Sequence, residues 1–418
     1  MRLFWLREHL RTSLWFIPTL CVVASILIAT ALIEVDARVH SGWIERLTFR
    51  GDAEHARTIL TTISTSMITF TGLVFTITIV VLQLASQQLS PRLLRTFLRD
   101  RISQLALGVF VATFTYSMAV LREFRPTEQG GFVPNISVTV GFGFVLLSIG
   151  FFVAYIHHIS QAIRIGNLTE ALANETDAAI EDIYDHDEPP ERLPEPEGDP
   201  IQTIASEERG VLSAMDRDML VEAARGTASV VKVVPAVGDF IPRGAAILEV
   251  YGNPMPHEVT EHLALSPERT MAQDPAFGFR QLVDVAQKAL SPAVNDPTTA
   301  VQSIDLMHDL LRTLATRPFP SGQRVDDDGE LRLIFPVMTW EAYVHLACDE
   351  LRHYGATSLQ VMRRMRAMLE DLDSVAPDDR RPVVQKQLHL LDAAIQRTWP
   401  DVEDQHLGLI GDLQGLGD

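Results

Sequence analysis

The sequence predicts a membrane α-helical protein with four transmembrane helices, followed by an α+β cytoplasmic domain with a small β module and a helical C-terminal part. Three observations predict this class. Four long apolar stretches without formal charge lie within the first 164 of the 418 residues. That part carries 14 basic and 9 acidic residues, whereas the remainder carries 21 and 45. β-branched runs and amphipathic helical patterns follow the apolar stretches, as is typical of a soluble domain.

Each apolar stretch is long enough to cross the bilayer once, because about 20 helical residues span roughly 30 Å of hydrocarbon. A soluble helix of this length would carry charges on one face. The first stretch is not a cleaved secretory signal, since it is too long and no small-residue cleavage site follows it. The four predicted spans are Leu14–Ile33, a segment within Thr58–Pro91, Ile102–Leu121 and about Val133–Ile156.

Arginines at the ends of the spans predict the orientation, because short cytoplasmic loops are enriched in basic residues. The densest groups are Arg2, Arg7, Arg11, Arg92, Arg95, Arg99 and Arg101. Only three of the 35 basic residues are lysine, a bias typical of GC-rich bacterial genomes. We therefore predict a multipass protein of the bacterial inner (plasma) membrane with both termini cytoplasmic.

The second span is unusually long and rich in hydroxyl groups. From Thr58 to Pro91 it has 34 residues without a formal charge. One helix of that length measures about 51 Å, so it must tilt or project beyond the bilayer. Spacings of three, four and seven residues place several polar side chains on one helix face. These candidate path-lining residues are Thr58, Thr62, Thr65, Thr69, Thr76 and Gln83.

Two interpretations of this polar face remain open. Small and hydroxyl residues let helices approach closely in lipid, and threonine can hydrogen-bond to its own backbone carbonyls. Alternatively, the face lines a water-filled path between several subunits. No Asp, Glu, Lys or Arg lies inside any predicted span. This argues against a proton-coupled pump, because such pumps keep an ionisable relay within the membrane.

The remaining chain divides by composition. Residues 170–199 hold 12 acidic residues and one arginine, and the second half of this stretch is rich in proline. Such a composition predicts a helical extension followed by an extended tether or ordered strap. Strand patterns at Ser229–Val234 and Ala246–Val250 predict the β module. The predicted domains are 1–165 (transmembrane), 166–205 (helical extension and acidic linker), 206–265 (β module) and 266–418 (mainly helical).

The helical part begins with two capped helices. Asp274-Pro275 and Asp296-Pro297 each combine an N-cap with a proline at the first helical position. A tight corner connects the two helices. The polar residues around it are Arg269, Asp274, Arg280, Asp284, Asn295 and Asp296. Caps and ion pairs explain these residues, and a clustered phosphate or metal site is the alternative.

A later amphipathic helix is predicted at about Ser358–Leu372. Its apolar face comprises Val361, Met365, Met368 and Leu369. Three arginines of this helix, Arg363, Arg364 and Arg366, are predicted to point outward.

Composition and missing motifs argue against several classes of protein. The net charge of −19 argues against nucleic-acid binding, which relies on basic patches. No lysine follows a glycine, as a P-loop requires, and the dinucleotide-binding glycine pattern is missing. His257 and His262 are five residues apart, whereas the helical zinc motif needs a spacing of four. We predict no cofactor, no metal and no catalytic residue, so an enzyme is the minor hypothesis.

Several short motifs carry a family resemblance. In the second span and at its exit they are Ser66-Met67-Ile68-Thr69, Leu84-Ala85-Ser86 and Ser90-Pro91-Arg92. Downstream they are Gly238-Asp239-Phe240, Arg269-Thr270, Gln273-Asp274-Pro275, Ala289-Leu290-Ser291-Pro292 and Asn295-Asp296-Pro297. With these motifs, nearly the whole chain resembles a bacterial family of predicted membrane proteins, domain of unknown function 2254. The resemblance implies an inner-membrane location and brings no established activity.

These features predict a homo-oligomeric ion channel or transporter-like assembly in the lipid bilayer. The second spans line the path, and the acidic domain forms a cytoplasmic vestibule that favours cations. The alternative is a non-conducting membrane-anchored scaffold or sensor that binds a protein or small ligand through its soluble domain. The candidates for coupling between the domains are Ser90, Pro91, Arg92, Asn295 and Asp296, which lie at the membrane exit and at the helix corner.

Overall fold

The chain divides into two compact units, Met1–Arg164 and Ile165–Asp418. A computed structural model describes residues 16–38, 49, 52–88, 101–124, 133–162, 165–184 and 192–416. The four-part domain division made from composition stays a prediction.

The first unit contains four helices that are long and apolar enough to cross a membrane, by length and composition. They are α1 (Phe16–Arg38), α2 (Ala53–Gln88), α3 (Arg101–Leu121) and α4 (Asn135–Ala162). The second unit carries small sheets and helices, so the predicted fold class is confirmed. Helix α2 has 36 residues, about 54 Å. It begins before the predicted span because the Asp52 carboxylate accepts the His55 N–H at 2.8 Å and caps an additional turn.

Helix α3 is central to the first unit, because it packs against α1, α2 and α4. Half of the residues in the most apolar stretch of α3 are buried, whereas only 17–22% are buried in the corresponding stretches of the other three helices. Gly108 permits the close approach of α1, since an added Cβ would lie 2.9 Å from the Cys21 Sγ and 3.4 Å from the Pro18 Cα. The outer helices therefore keep most of their apolar surface for contact with lipid.

A carboxylate near the end of α1 caps the start of α4. Asp36 accepts hydrogen bonds from the Ile136 N–H (2.9 Å), the Ser137 N–H (2.9 Å) and the Ser137 hydroxyl (2.7 Å). A negative charge at this position also interacts favourably with the helix dipole. The Tyr116 hydroxyl donates to the Ser137 carbonyl oxygen at 2.7 Å. This corner thus joins α1, α3 and α4.

We expect Asp36→Ala to lower the free energy of unfolding by about 1–3 kcal/mol, because three donors lose their acceptor. The matched control is Glu34→Ala on the same helix. Glu34 is exposed and pairs with the equally exposed Arg38, so its loss should change stability by less than about 1 kcal/mol. Thermal unfolding of the detergent-solubilised protein measures both. Equal midpoints for the two variants would contradict the cap.

Helices make up about half of the second unit. Its helices are α5 (Ile165–Ile183), α6 (Arg217–Thr227), α7 (Pro275–Ala289), α8 (Pro297–Thr316), α9 (Trp340–Tyr354), α10 (Leu359–Val375), α11 (Arg381–Thr398) and α12 (Val402–Gly408). Helices α7 and α8 begin at the predicted caps. The Asp274 side chain accepts the Phe277 N–H, and the Asp296 side chain accepts the Thr299 N–H.

Helix α5 packs against α7 and α8. Gly278 allows the backbones to approach, since an added Cβ would lie 1.9 Å from the Thr176 Oγ1. Just after the helix, the buried Tyr184 hydroxyl lies 3.0 Å from the Tyr343 hydroxyl. Arg317 donates to the Tyr184 carbonyl oxygen at 3.1 Å. Burial raises the pKa of Tyr184 to about 12, so the phenol stays neutral in this contact.

Two small sheets complete the second unit, with strand orders β1-β5-β3-β8-β7 and β4-β2-β6. The strands are β1 (Gln202–Ala205), β2 (Gly210–Met215), β3 (Val230–Val233), β4 (Phe240–Ile241), β5 (Ala246–Tyr251), β6 (Leu263–Ser266), β7 (Gln323–Val325) and β8 (Leu331–Ile334). Strands β3 and β8 pair in parallel. The side-chain amide of Gln323 accepts the Leu193 N–H at 2.8 Å and donates to the Leu193 carbonyl oxygen at 2.9 Å. An ordered strap therefore lies against β7.

The prediction that the arginines of α10 point outward is wrong. Arg363 and Arg364 are only 9% and 4% exposed. Arg363 donates to the carbonyl oxygens of Leu407 (2.8 Å) and Leu416 (2.7 Å), so the C-terminal segment covers it. An amphipathic pattern identifies the polar face of a helix, but not the chain that packs on it.

Arg364 and Arg366 pair with carboxylates of neighbouring helices. Arg364 donates to Asp305 of α8, and Arg366 donates to Asp392 of α11, each at 2.5 Å. These arginines therefore connect α10 to the helices on both sides of it. The apolar face of α10 is buried as predicted, and Val361, Met365, Met368 and Leu369 are at most 1% exposed.

Candidate functional site: the hydroxyl face of helix α2

One face of α2 stays exposed in the single chain and carries the predicted polar residues. We call it the hydroxyl face; it comprises Thr58, Thr62, Thr65, Thr69, Thr76 and Gln83, all of them exposed. The opposite side packs into the bundle, where Leu60, Met67 and Val74 are at most 3% exposed. All six candidate path-lining residues thus share one side of one helix, as their spacing requires.

Every threonine of the hydroxyl face donates its hydroxyl proton to a backbone carbonyl oxygen four residues earlier. The Oγ1···O distance is 2.8 Å for Thr58 and Thr62, 3.0 Å for Thr65 and Thr69, and 2.9 Å for Thr76. A hydroxyl has one donor and two acceptor lone pairs. Since the donor is used internally, the oxygen acts outward as an acceptor. The face can therefore bind a cation or accept a hydrogen bond from water without losing an internal hydrogen bond.

An open groove lies near the middle of the hydroxyl face. Its volume is about 320 Å³, and Thr65, Ser66, Thr69, Phe70 and Leu73 line it. The hydroxyl oxygens form one part of the groove, and two large apolar side chains form the other. A groove with this mixed lining can hold water molecules or the side chains of a neighbouring helix.

Hydroxyl groups inside the bundle differ, because they pair between helices. The Thr78 Oγ1 lies 2.8 Å from the Tyr155 hydroxyl and joins α2 to α4. The Thr113 Oγ1 lies 3.0 Å from the Ser148 Oγ and joins α3 to α4. Within the described ranges, no side chain of another helix makes such a hydrogen bond with the threonines of the hydroxyl face. Helix packing within one chain therefore explains why hydroxyl groups occur inside the bundle, but not why they occur on the hydroxyl face.

The candidate coupling residues fall into two groups. Ser90, Pro91 and Arg92 lie outside the described residues. Asn295 adopts a left-handed backbone with φ +50°, and its N–H donates to the Ser291 carbonyl oxygen at 2.9 Å. The Asp296 carboxylate caps α8. Turn and cap geometry account for Asn295 and Asp296, and their role in coupling stays a prediction.

A family described as predicted membrane protein (DUF2254) matches residues 11–371. The chain belongs to this family. It is similar to uncharacterized proteins of Mycobacterium bovis and Mycobacterium tuberculosis, each 32% identical over 421 residues, with 96% of this chain and 80% of the relative covered. No solved structure matches. The resemblance stated from the motifs is therefore confirmed: this DUF2254 protein is a predicted membrane protein with four apolar helices.

Motifs that are far apart in the DUF2254 sequence meet in its second unit. Arg269 pairs with Asp274 through two hydrogen bonds, from Nε to Oδ2 and from its NH2 group to Oδ1, the latter 3.0 Å long. Asp274 is 5% exposed, and burial raises its pKa although the guanidinium acts in the opposite direction. Gly238 has φ +98°, and an added Cβ would lie 2.5 Å from the Asp274 Oδ2. These motifs hold the start of α7 against the turn before β4.

The other polar residues near the predicted corner have partners of their own. Arg280 donates to Glu350 of α9 through both terminal nitrogens at 2.7 Å, and to Asp284 at 2.8 Å. The hydrogen bonds from Arg280 lower the pKa of Glu350. Among the described residues, no group of three His, Cys, Asp or Glu side chains is placed to hold a metal. Caps and ion pairs account for the polar residues of the DUF2254 helix corner.

A charged network that the sequence motifs of the DUF2254 chain do not predict connects α8 and α10. The His308 Nε2 lies 2.8 Å from the Asp371 Oδ2, and its Nδ1 lies 3.0 Å from the NH2 group of Arg364. Because a guanidinium can only donate, Nδ1 is the acceptor and Nε2 carries the proton. Burial lowers the pKa of His308, which favours this neutral ring. The spacing of Asp305, His308 and Arg312 on one face of α8 is the signal that would have indicated the network.

Proposed function

We propose that this DUF2254 protein is a homo-oligomeric, cation-conducting channel of the bacterial inner membrane, with both termini cytoplasmic. The α2 helices of several copies line the path with their hydroxyl faces. The observation that carries the proposal is the exposed row of hydroxyls on a helix long enough to span the bilayer. Polar surface within a membrane usually faces a bundle interior or a water-filled path rather than lipid. Association of several copies would provide such an interior.

Charge and hydrogen-bond chemistry support cations as the permeant species. The threonine oxygens of the hydroxyl face act outward as acceptors, and acceptors can replace water around a cation. Residues 58–91 contain no formal charge that would bind a permeating ion too tightly. The part of the chain after residue 164 carries 45 acidic and 21 basic residues. Such an excess of negative charge raises the local concentration of cations.

A second candidate is a non-conducting, membrane-anchored scaffold or sensor. The backbone hydrogen bonds of the threonines favour it, because a hydroxyl that donates to its own helix is tolerated against lipid. On this proposal the hydroxyl face packs against a partner helix, and the soluble unit binds a protein or small ligand. Conduction distinguishes the two candidates.

We expect the purified protein in liposomes to conduct K⁺, and the Thr65→Val/Thr69→Val variant to reduce the flux by about tenfold or more. Valine keeps the shape of threonine and removes the oxygen, so a loss of about 1.4 kcal/mol of ion stabilisation is enough for a tenfold effect. Single-channel recording or a fluorescent K⁺ assay measures the change.

The matched control is Thr30→Val on α1. Thr30 is also exposed and donates to its own helix, to the carbonyl oxygens of Ile26 (3.0 Å) and Leu27 (2.9 Å). It lies off the hydroxyl face, so this variant should conduct like the wild type. Equal flux through the wild type and the double variant would contradict the path. A wild type that conducts none of several cations over a range of voltages would favour the scaffold or sensor.

A further inference from the structure

Arg217 differs from the other buried or half-buried arginines of the second unit, because its guanidinium donates to no carboxylate or carbonyl oxygen of the described residues. Among the described arginines of this unit that are at least half-buried, Arg217 alone makes no hydrogen bond or ion pair, and its buried Nε has no acceptor. The others donate to carboxylates or carbonyl oxygens, as Arg280 and Arg363 do. A partly buried guanidinium without an acceptor is costly. No carboxylate among the described residues lies within hydrogen-bond or ion-pair distance of this guanidinium.

The position of Arg217 is well defined. It is the first residue of α6, and its Cζ lies 4.8 Å from the centre of the Phe335 ring. Phe335 follows β8 and is 5% exposed, so the guanidinium packs on the face of a buried aromatic ring. The Nε is buried, whereas the residue as a whole is half-buried. The remaining donors of Arg217 are therefore directed towards the surface.

A second arginine lies on the same face of the sheet. Arg324 of β7 stands directly opposite Leu333 of β8 in the antiparallel pair, and opposed residues project to the same side. Leu333 and Phe335 belong to one core cluster with Leu220 of α6, so this is the face on which α6 packs. A long side chain at Arg324 reaches its diagonal neighbour Phe335, and thus the ring under Arg217.

Arg324 is exposed, and like Arg217 it makes no ion pair with any described residue. Burial lowers the pKa of Arg217 and the charge of Arg324 lowers it further, consistent with the closeness of the two groups, whereas the nearby carboxylates of Asp182 and Asp218 act in the opposite direction. Two like charges at one place repel each other, and an anion between them removes the repulsion. The second unit thus places two arginines without ion pairs close to one aromatic ring, in a chain of net charge −19.

We propose that Arg217 and Arg324 form a binding site for a phosphate-type oxyanion, either free phosphate or the phosphate group of a small molecule. The planar guanidinium matches the oxygens of phosphate with two parallel hydrogen bonds. A dianion neutralises both arginines at once, whereas a monocarboxylate leaves one of them uncompensated. The site lies in the soluble unit, and it does not depend on whether the first unit conducts ions.

The test uses the full chain in detergent and inorganic phosphate as the probe. Calorimetric titration at constant ionic strength, with chloride replacing phosphate in the reference, should give saturable binding for the wild type. Arg217→Gln and Arg324→Gln should each weaken phosphate binding by about tenfold or more, because each removes a charge-assisted pair of hydrogen bonds. Acetate in the same titration should bind more weakly than phosphate.

The matched control is Arg243→Gln, which removes an exposed arginine of the turn between β4 and β5. It should keep the wild-type affinity for phosphate. Arg324 is exposed on an edge strand, so Arg324→Gln remains informative if Arg217→Gln fails to fold. Phosphate binding no stronger than chloride binding, equal affinity in the wild type and Arg324→Gln, or acetate binding as tight as phosphate would each overturn the proposal.

Discussion

Replacing Arg269 with alanine is expected to destabilise the second unit by about 3–5 kcal/mol, as removal of one partner from a buried ion pair generally does. The substitution leaves the Asp274 carboxylate, which is 5% exposed, without its cation. Asp274 also caps α7 through the Phe277 N–H, so the start of that helix should loosen together with the turn at Gly238. Urea unfolding of the full chain in detergent measures the loss.

The loss should depend on pH in a defined direction. Burial already raises the pKa of Asp274 above its ordinary value of 3.8, and removal of Arg269 raises it further. A raised carboxyl pKa means that the folded state binds the proton more tightly than the unfolded state. The variant is therefore least stable, relative to the wild type, above the folded pKa, and it recovers as the pH falls towards 3.8. A protonated Asp274 needs no cation.

Two measurements decide this prediction. The stability difference between the wild type and Arg269→Ala should be larger at pH 7 than at about pH 4.5. The control is Arg225→Ala, which removes an arginine that pairs with the exposed Asp327 and Asp328. This control should cost less than about 1 kcal/mol. A deficit for Arg269→Ala that is small, or that stays the same at both pH values, would show that the pair is not needed to compensate a buried charge.

Gly278→Val is expected to destabilise the same unit by about 3 kcal/mol or more, at the upper end of overpacking effects. A Cβ at this position alone would lie 1.9 Å from the Thr176 Oγ1 and 2.7 Å from its Cγ2. Thr176 is fully buried between α5 and α7, so its side chain cannot move away. Helix α5 would have to separate from α7. Hydrogen exchange of peptides from α5 should therefore increase along with the loss of global stability.

Gly226→Ala is the matched control, because nothing lies within 4 Å of its added Cβ. Alanine within a helix is favoured over glycine, so this control should stabilise α6 by up to about 1 kcal/mol, the opposite sign. The smaller substitution Gly278→Ala places only the Cβ at this position. Adding Thr176→Ala to it should restore part of the lost stability, since this removes the two atoms closest to the new Cβ. Unchanged exchange of α5 in Gly278→Val would contradict the close contact between the helices.

The membrane helices and the capped helices could be predicted because their signals are local. An uncharged stretch of about 20 residues suffices to indicate a span, and an Asp-Pro pair suffices to indicate the start of α7 or α8. The six residues of the hydroxyl face could be predicted in the same way, from spacing alone. Their exposure could not be predicted, because spacing does not reveal which side of α2 its own bundle covers.

Contacts between distant parts of the chain could not be predicted. The prediction that Arg363 and Arg364 point outward is wrong because distant residues cover them. The C-terminal segment covers Arg363 and Asp305 pairs with Arg364, each more than 40 residues away in sequence. The contact of Arg269 and Asp274 with Gly238 depends on how the turn before β4 meets the start of α7. The proximity of Arg217 and Arg324 requires the register of β7 against β8, which no local pattern specifies.

The parallel pairing of β3 with β8 has a consequence for how the protein is made. Val231 meets Leu333 in this pair, so about a hundred residues must leave the ribosome between the two strands. At about 5–20 residues per second this takes roughly 5–20 s. During that interval one edge of β3 has no partner, and an unpaired strand edge invites association with other chains. A nascent chain that stalls before β8 has left the ribosome should therefore be a preferred client of chaperones, and one that stalls after β8 has left it should not.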